Sequence, residues 1–192
     1  GVLSGQEIVI STNNDSVYST ANELMKAGSK VHIIDARNTI SQDIIQSAKS
    51  SGIEVSLGTA PFNINGRKKV DSLDVAEHDG QKYNKVNQIK CDLVLISGGW
   101  SPTVHLLSHR GVRPVWDPVN LCFLPNEIQE PITVIGSAAG IWNTDDCFKS
   151  GVAAGLKAAQ SLGVNTINYS FPKSGGWKNP ISPLYEVGYN KN

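Results

Sequence analysis

The amino-terminal part of the chain alternates between short apolar runs and one amphipathic stretch. Residues 7–11 carry a β-branched run that is too short for a helix, whereas residues 17–25 place their apolar side chains at helical spacing. Gly28 follows where a left-handed C-cap belongs, and residues 31–34 form a second apolar run that ends at Asp35. The pattern predicts a right-handed βαβ unit with two parallel strands.

The next segments continue this pattern and then depart from it. Residues 41–51 predict a second helix that Gly52 ends, and residues 53–57 alternate as a third parallel strand. Three short alternating segments, separated by Asn-Gly and Asp-Gly turns, predict an antiparallel meander: residues 62–65, 70–76 and 83–89. Residues 91–96 form a further buried strand, with Ser97-Gly98-Gly99 at its carboxyl end. The predicted fold is α/β, a Rossmann-like, mostly parallel sheet with an antiparallel β-meander crossover.

The last third of the chain predicts a return strand and helix. Residues 115–124 suggest a hairpin, and residues 132–135 a buried strand that runs into Gly136-Ser137-Ala138-Ala139-Gly140. Thr144 is the predicted N-cap of a helix that Gly163 ends. Backbone N–H groups after such a small-residue turn suit a phosphate or ribose oxygen, although the glycines could equally serve close packing alone.

Composition narrows the classes of function. Lys and Arg number 17 against 17 Asp and Glu, so charge offers no argument for nucleic acid or an anionic membrane as a partner. Three widely spaced cysteines without a C-x-x-C motif argue against a disulfide framework, a zinc site or a dithiol centre. No signal peptide stands at the start, and no apolar run approaches the roughly eighteen residues of a membrane span. These features predict a cytoplasmic location.

The two ends of the sequence predict a piece of a longer protein. The chain starts with glycine, and its only methionine is Met25, inside the first predicted helix. Residues 169–192 hold three prolines and two adjacent glycines without apolar periodicity. We therefore expect this last stretch to be a linker towards a downstream domain.

A βαβ unit that ends in an acid is typical of dinucleotide-binding folds, in which the acid takes a ribose hydroxyl. Here that acid would be Asp35, but the three glycine positions of G-x-G-x-x-G fall on Thr12, Asn14 and Val17. Side chains at these positions stand where a pyrophosphate must approach bare backbone, and where helix and strand pack closest. The sequence therefore favours a retained scaffold over a working nucleotide site.

Three strings carry a resemblance to a known family. They are residues 10–16 (ISTNNDS), residues 97–106 (SGGWSPTVHL), and the turn 136–140 (GSAAG) with residues 151–155 (GVAAG) in the helix after it. Together with the order of elements, they resemble the nucleotide-binding region of the pyridine nucleotide–disulfide oxidoreductase superfamily. Within it, residues 6 to about 165 are similar to the α subunit of heterotetrameric sarcosine oxidase.

The resemblance implies a division into domains. Residues 5–124 would be an inserted Rossmann-like fold with a degenerate dinucleotide turn, residues 125–168 the return strand and helix of a first dinucleotide fold, and residues 169–192 the linker. The glycine-rich NAD turn would lie upstream of Gly1. In the superfamily the strand, glycine turn and helix point at the dinucleotide of the first fold, so the candidate cofactor-binding residues are Gly136, Ser137, Ala138, Ala139 and Gly140. Superfamily members often carry an acid after the first glycine, where this chain has Ser137.

The resemblance also implies cofactors and partners. The parent α subunit would hold NAD, with FAD and FMN elsewhere in the complex and tetrahydrofolate in a downstream domain. The partners would be the remainder of the α chain and the other subunits of a hetero-oligomeric oxidase. Such a complex demethylates sarcosine to glycine with oxygen, yielding hydrogen peroxide and methylene-tetrahydrofolate. No cofactor is assigned firmly to the present residues.

The residues themselves predict no catalytic group and no metal site. No nucleophile–base pair or carboxylate dyad is apparent in the sequence, so the chain is interpreted as a scaffold and cofactor-supporting module. Two alternatives stay open. One is the α subunit of another amine or amino-acid dehydrogenase, and the other is a stand-alone NAD(P)-dependent flavin reductase, which would need the missing glycine cradle.

Overall fold

The computed structural model describes residues 2–78, 83–126, 131–165 and 169. The described chain forms two compact units, the first ending at Gly99 and the second beginning at Trp100. The strands of the first unit are β1 (Glu7–Thr12), β2 (Lys30–Asp35), β3 (Glu54–Leu57), β4 (Thr59–Gly66), β5 (Val70–His78), β6 (Tyr83–Lys90) and β7 (Leu93–Ser97). Its helices are α1 (Ser16–Lys26) and α2 (Gln42–Ser50).

Four strands of the first unit form a parallel sheet in the order β3-β2-β1-β7. The order reverses at β1, with β2 on one side of it and β7 on the other. The last residues of β1, β2 and β7 are Thr12, Asp35 and Ser97, and they are in register at the carboxyl edge of the sheet. In open α/β sheets, ligands bind at this edge where the strand order switches. The predicted α/β class is confirmed.

The two central strands of the parallel sheet, β1 and β2, are buried on both faces, which explains their continuous apolar runs in the sequence. On one face Ile8, Ile10 and Ile33 pack against α1 and α2. On the other face Val9 and Ile34 pack against the apolar side chains of the meander and the residue that follows it, Leu73, Val75 and Cys91. Each fully buried aliphatic side chain contributes about 1.5–3 kcal/mol to the free energy of unfolding.

The meander of the first unit consists of β4, β5 and β6, paired antiparallel in that order. The Asn65-Gly66 pair begins the turn between β4 and β5 as predicted. Gly66 has φ +139°, and a Cβ there would collide with the carbonyl oxygen of Lys69, so the turn requires glycine. The second turn signal, Asp79-Gly80, lies outside the described residues.

The second unit contains α3 (His105–Ser108), β8 (Val115–Asp117), β9 (Cys122–Leu124), a 3₁₀ turn (Gly136–Ala139) and α4 (Thr144–Ser161). The predicted hairpin over residues 115–124 is confirmed, since β8 and β9 pair antiparallel. Asp117 accepts hydrogen bonds from the backbone N–H of Val119 and Asn120 at 2.7 and 3.1 Å, which closes the turn between them.

Two predictions in the second unit are wrong. Residues 132–135 form no ladder with any strand in the described part of the chain, and Ile132 and Ile135 are each 41% exposed. An apolar β-branched run becomes a strand only where a neighbouring strand accepts its backbone hydrogen bonds. In addition, the N-cap of α4 is Asn143, and Thr144 is the first helical residue.

Helix α4 is 18 residues long and has no buried residue. Of the helices in the described residues, none combines the length and the hydropathy that crossing a bilayer requires. The predicted linker falls, except for Tyr169, outside the described residues. The predicted domain limits, 5–124 and 125–168, therefore remain a prediction.

Candidate functional site

The turn between β1 and α1 is filled by its own side chains. Asn14 is fully buried, and its side-chain amide donates to the carbonyl oxygen of Ser97 at 3.1 Å and to the hydroxyl oxygen of Ser97 at 3.2 Å. Its side-chain carbonyl accepts from the backbone N–H of Ser16 at 3.1 Å. The Thr12 hydroxyl donates to the backbone carbonyl oxygen of Asn14 at 3.0 Å. The Asn14 side chain thus takes up the backbone N–H of Ser16, the kind of group that a glycine turn leaves open to a pyrophosphate.

A second asparagine ties the same turn to the neighbouring strand end. The side-chain amide of Asn13 donates to the carbonyl oxygen of Gly98 at 3.2 Å. Together with Asn14, it joins the turn after β1 to the chain after β7. The sheet edge at which a ligand is expected is therefore bridged by two side chains of this protein.

The acid at the end of β2 is also fully engaged. Asp35 is completely buried, and one of its oxygens accepts from the backbone N–H and the Nε of Arg37, both at 3.0 Å. The other oxygen accepts from the Tyr18 hydroxyl at 2.9 Å and from Arg37 Nη2 at 2.8 Å. With four donors on two oxygens, Asp35 has no capacity left for a ribose hydroxyl.

The charges around Asp35 form a paired network. Arg37 Nη1 also donates to Asp15 at 2.7 Å, so one buried guanidinium bridges two carboxylates. Burial, followed by the nearby Asp35 carboxylate, raises the pKa of Tyr18. The desolvation of Arg37 is outweighed by its hydrogen bonds to Asp35 and Asp15, which raise the pKa of the guanidinium. The first unit thus keeps the shape of a nucleotide-binding fold, but the residues at the ends of β1 and β2 do not fit a dinucleotide.

The predicted cofactor residues, Gly136 to Gly140, lie together in the 3₁₀ turn before α4. Gly136 and Gly140 have φ +60° and +78°, and a Cβ on Gly140 would collide with Leu124 Cδ2. The backbone N–H groups at both ends of the turn are used internally. Gly136 donates to the Ser150 hydroxyl at 3.1 Å, and Gly140 donates to the Ser137 carbonyl at 3.1 Å.

The helix that follows the turn is already capped. The Asn143 side-chain oxygen accepts from the backbone N–H of Asp145 at 2.9 Å and of Asp146 at 3.3 Å. Asp145 and Asp146 also place two carboxylates in the first turn of α4. These charges oppose an anionic phosphate at this helix end, whereas they tolerate an uncharged hydroxyl or amide.

Sequence reasoning missed one polar cluster on the parallel sheet. His32 Nε2 lies 2.8 Å from the Ser56 hydroxyl oxygen, and His32 Nδ1 lies 3.3 Å from a carboxylate oxygen of Glu54. Two features of the sequence point to this cluster: His32 interrupts the apolar run of β2, and polar residues alternate with apolar ones along β3. No group of three or more potential metal-ligating side chains is found within the described residues.

Comparison with known proteins agrees with the fold and with the residue strings. Residues 18–115 match the family described as pyridine nucleotide-disulphide oxidoreductase. The sarcosine oxidase α subunit of Corynebacterium sp. (strain U-96) is 32% identical over 170 residues, which is 87% of this chain and 18% of that protein. A ferredoxin–NADP reductase of Streptococcus agalactiae serotype III (strain NEM316) is 27% identical over 88% of this chain and 50% of that protein.

Among solved structures, the bacillithiol disulfide reductase of Staphylococcus aureus superposes with a TM-score of 0.58 at 17% identity, over 81% of this chain and 51% of that chain. This likeness shows the fold alone. The family match covers about half of the chain, and the resemblance to sarcosine oxidase α subunits is confirmed, over 18% of the length of those proteins. The chain therefore belongs to the pyridine nucleotide–disulfide oxidoreductase family and is similar, within it, to part of a sarcosine oxidase α subunit.

Proposed function

We propose that this chain is a scaffold and cofactor-supporting module of a sarcosine oxidase α subunit-like protein. The parent complex would oxidise sarcosine with oxygen, so that its methyl carbon passes to tetrahydrofolate as a methylene group and glycine and hydrogen peroxide are released. The similarity to sarcosine oxidase α subunits over 87% of the chain supports this assignment.

One observation carries the scaffold role. Asn14 and Asp35, at the two positions that would receive a dinucleotide, have their hydrogen-bonding groups engaged by neighbouring residues of the chain. A dinucleotide would have to break several buried hydrogen bonds and would gain a smaller number in return. The NAD of the parent protein is therefore assigned to the remainder of the α chain, and FAD and FMN to other parts of the complex.

The turn from Gly136 to Gly140 would contribute to that NAD site as part of the return segment, residues 125–168, of the first dinucleotide fold. Because Asp145 and Asp146 follow the turn, an uncharged part of NAD, a ribose hydroxyl or the carboxamide, is the part that fits there. The exposed hydroxyl of Ser137 supplies one donor and acceptor for such a contact. The other subunits of the oxidase and the tetrahydrofolate region belong to the remainder of the complex.

A stand-alone NAD(P)-dependent flavin reductase is the second candidate. The similarity to a ferredoxin–NADP reductase over half of that protein favours it. The filled turn at Asn14 opposes it, because a reductase needs an open cradle for its nucleotide. The α subunit of another amine or amino-acid dehydrogenase would share the scaffold and differ in the amine that is oxidised.

Calorimetric titration of the 192-residue chain with NAD, NADP and FAD separates these functions. The scaffold assignment predicts no binding in the low micromolar range. The same titration on the intact parent α subunit should show NAD binding, and the complete complex should produce hydrogen peroxide from sarcosine. Low-micromolar binding of NADP to the present chain would favour the reductase and overturn the scaffold assignment.

A further inference from the structure

Three polar side chains lie together on one face of the parallel sheet: His32 is hydrogen-bonded to Ser56, and its other ring nitrogen lies 3.3 Å from a carboxylate oxygen of Glu54. His32 lies on β2, and Glu54 and Ser56 lie on the adjacent strand β3. The strand register pairs His32 with Glu54 and Ile34 with Ser56. Residues two apart on a strand point to the same face, so Glu54 and Ser56 flank the imidazole from one side of the sheet.

The neighbours of the two ring nitrogens favour one tautomer of His32. The Glu54 carboxylate lies 3.3 Å from Nδ1 and favours the ring proton on that nitrogen. Nε2 is then an acceptor, and the Ser56 hydroxyl at 2.8 Å donates to it. Carboxylate, imidazole and hydroxyl in this order form the arrangement that activates a serine nucleophile.

The surroundings keep the imidazole neutral. Burial lowers the pKa of His32, and the carboxylate of Glu54 opposes that shift. His32 and Glu54 line an open cavity of about 220 Å³, and the other charged groups around it are Glu7 from β1, Lys30 from β2 and Lys90 from β6. The lining therefore carries two acids and two bases, whose charges balance around the imidazole.

We propose that Ser56 is an activated nucleophile that accepts an acyl group from small activated esters, with His32 as its general base and Glu54 as a positioning residue. The Ser56 oxygen forms a bond to the acyl carbon while the bond from that carbon to the ester oxygen breaks. His32 takes the hydroxyl proton and passes it to the departing alkoxide or phenoxide. The products are acyl-Ser56 and the free alcohol or phenol, with no change in oxidation state.

Ser56 lies at the edge of the parallel sheet. It is half-buried on β3, which is the edge strand of the four-stranded sheet. Ser50 provides the contrast, since its hydroxyl donates to the carbonyl oxygen of Ser47 at 2.9 Å, which is not a base. The proposal is independent of the scaffold function, because it uses no residue of the β1–α1 turn or of the 3₁₀ turn.

The test uses the 192-residue chain and p-nitrophenyl acetate. Release of p-nitrophenolate is followed by absorbance, and peptide mass mapping locates the acetyl group. We expect one acetyl group per chain on Ser56, its loss in S56A, and a roughly 10²-fold slower acylation in H32Q. The matched control S50A should react like the unmodified chain. Acetylation confined to lysines, or an equal rate in H32Q, would overturn the proposal.

The pH profile tests the roles of His32 and Glu54 separately from folding. Acylation should rise with pH through a midpoint below about 6.5 and then level off, because only the neutral imidazole accepts a proton. Since Glu54 raises the pKa of His32, E54Q should move this midpoint to lower pH and slow the reaction. A rate that only begins to rise in the alkaline range, or an unmoved midpoint in a folded E54Q, would contradict the proposal even if H32Q does not fold.

Discussion

The side-chain amide of Asn14 donates to the backbone carbonyl of Ser97 at 3.1 Å, and so joins the turn after β1 to the end of β7. In a dinucleotide-binding protein the ligand occupies this crevice. Here the buried side chain of Asn14 occupies it, and its amide is long enough to bond two backbone segments at once.

Replacing Asn14 with alanine should destabilise the first unit. The change leaves the Ser97 carbonyl and the Ser16 N–H without their side-chain partner, at a cost of about 1–3 kcal/mol in the free energy of unfolding. Urea denaturation measures the effect, with exposed Asn84→Ala as the control. Equal urea midpoints for the two variants would show that the Asn14 contacts contribute nothing to the free energy of unfolding.

Replacing Asp35 with asparagine should have a larger effect. It removes the buried carboxylate that holds Arg37 through three hydrogen bonds, and leaves a buried guanidinium with less compensation. Breaking such a buried pair costs about 3–5 kcal/mol, and the remaining contact with Asp15 should place the loss near the lower end. The matched control is Asp71→Asn at an exposed position. If the free energy of unfolding falls no further in Asp35→Asn than in the control, the contacts of Arg37 with Asp35 and Asp15 have no structural role.

The raised pKa of Tyr18 predicts a loss of stability at alkaline pH. Above pH of about 10 the unfolded chain releases the phenolic proton while the folded chain retains it, so the free energy of unfolding falls as pH rises. Tyr18→Phe removes this contribution and should flatten that decline relative to the unmodified chain. Thermal denaturation of both proteins between pH 8 and 11 measures the difference. Parallel curves for the two proteins would contradict the prediction.

Two glycines of the second unit should respond in opposite directions to alanine. At Gly140 a Cβ collides with Leu124 and φ is +78°, so the substitution should destabilise the unit by more than about 1 kcal/mol. At Gly155, inside α4, a Cβ meets nothing, and alanine should stabilise the helix by about 0.5–1 kcal/mol. Amide hydrogen exchange of α4 reports both effects. Changes of the same sign would refute the described turn.

Substituting Ala138 with Glu in the full parent α subunit should weaken NAD binding. A carboxylate in the turn that precedes α4 adds bulk and negative charge where the cofactor is proposed to lie. NAD affinity and thermal stability are measured in parallel, with Ala158→Glu on exposed α4 as the control. Unchanged affinity in a folded mutant would restrict residues 136–140 to a packing role.

Local patterns predicted the first unit well, because its strands and helices are specified by the spacing of their own apolar residues. The turn to α1 shows where this stops. Asp15 directly precedes α1, but its carboxylate pairs with Arg37, and the Asn14 side chain accepts the hydrogen bond from the start of the helix. The role of Asp35 was likewise decided by Tyr18 and Arg37, whose approach to it depends on tertiary packing.

The errors in the second unit have a different origin. Residues 132–135 have the composition of a strand, but a strand also needs a neighbour, and none in the described chain pairs with it. The cap of α4 was misplaced by one residue because Asn143 and Thr144 are both good caps, and only backbone geometry separates them. Sequence spacing alone also could not show that a histidine, a glutamate and a serine meet across β2 and β3.

The filled crevice also changes what the stability of the first unit depends on. A protein that binds a dinucleotide gains about 2.7 kcal/mol when the ligand is present at a hundred times its dissociation constant, so its resistance to unfolding follows the supply of cofactor. In this chain Asn14 and Arg37 are covalently part of the polymer and are present at full occupancy at all times. The scaffold assignment therefore predicts that the free energy of unfolding of the first unit does not change when NAD is added.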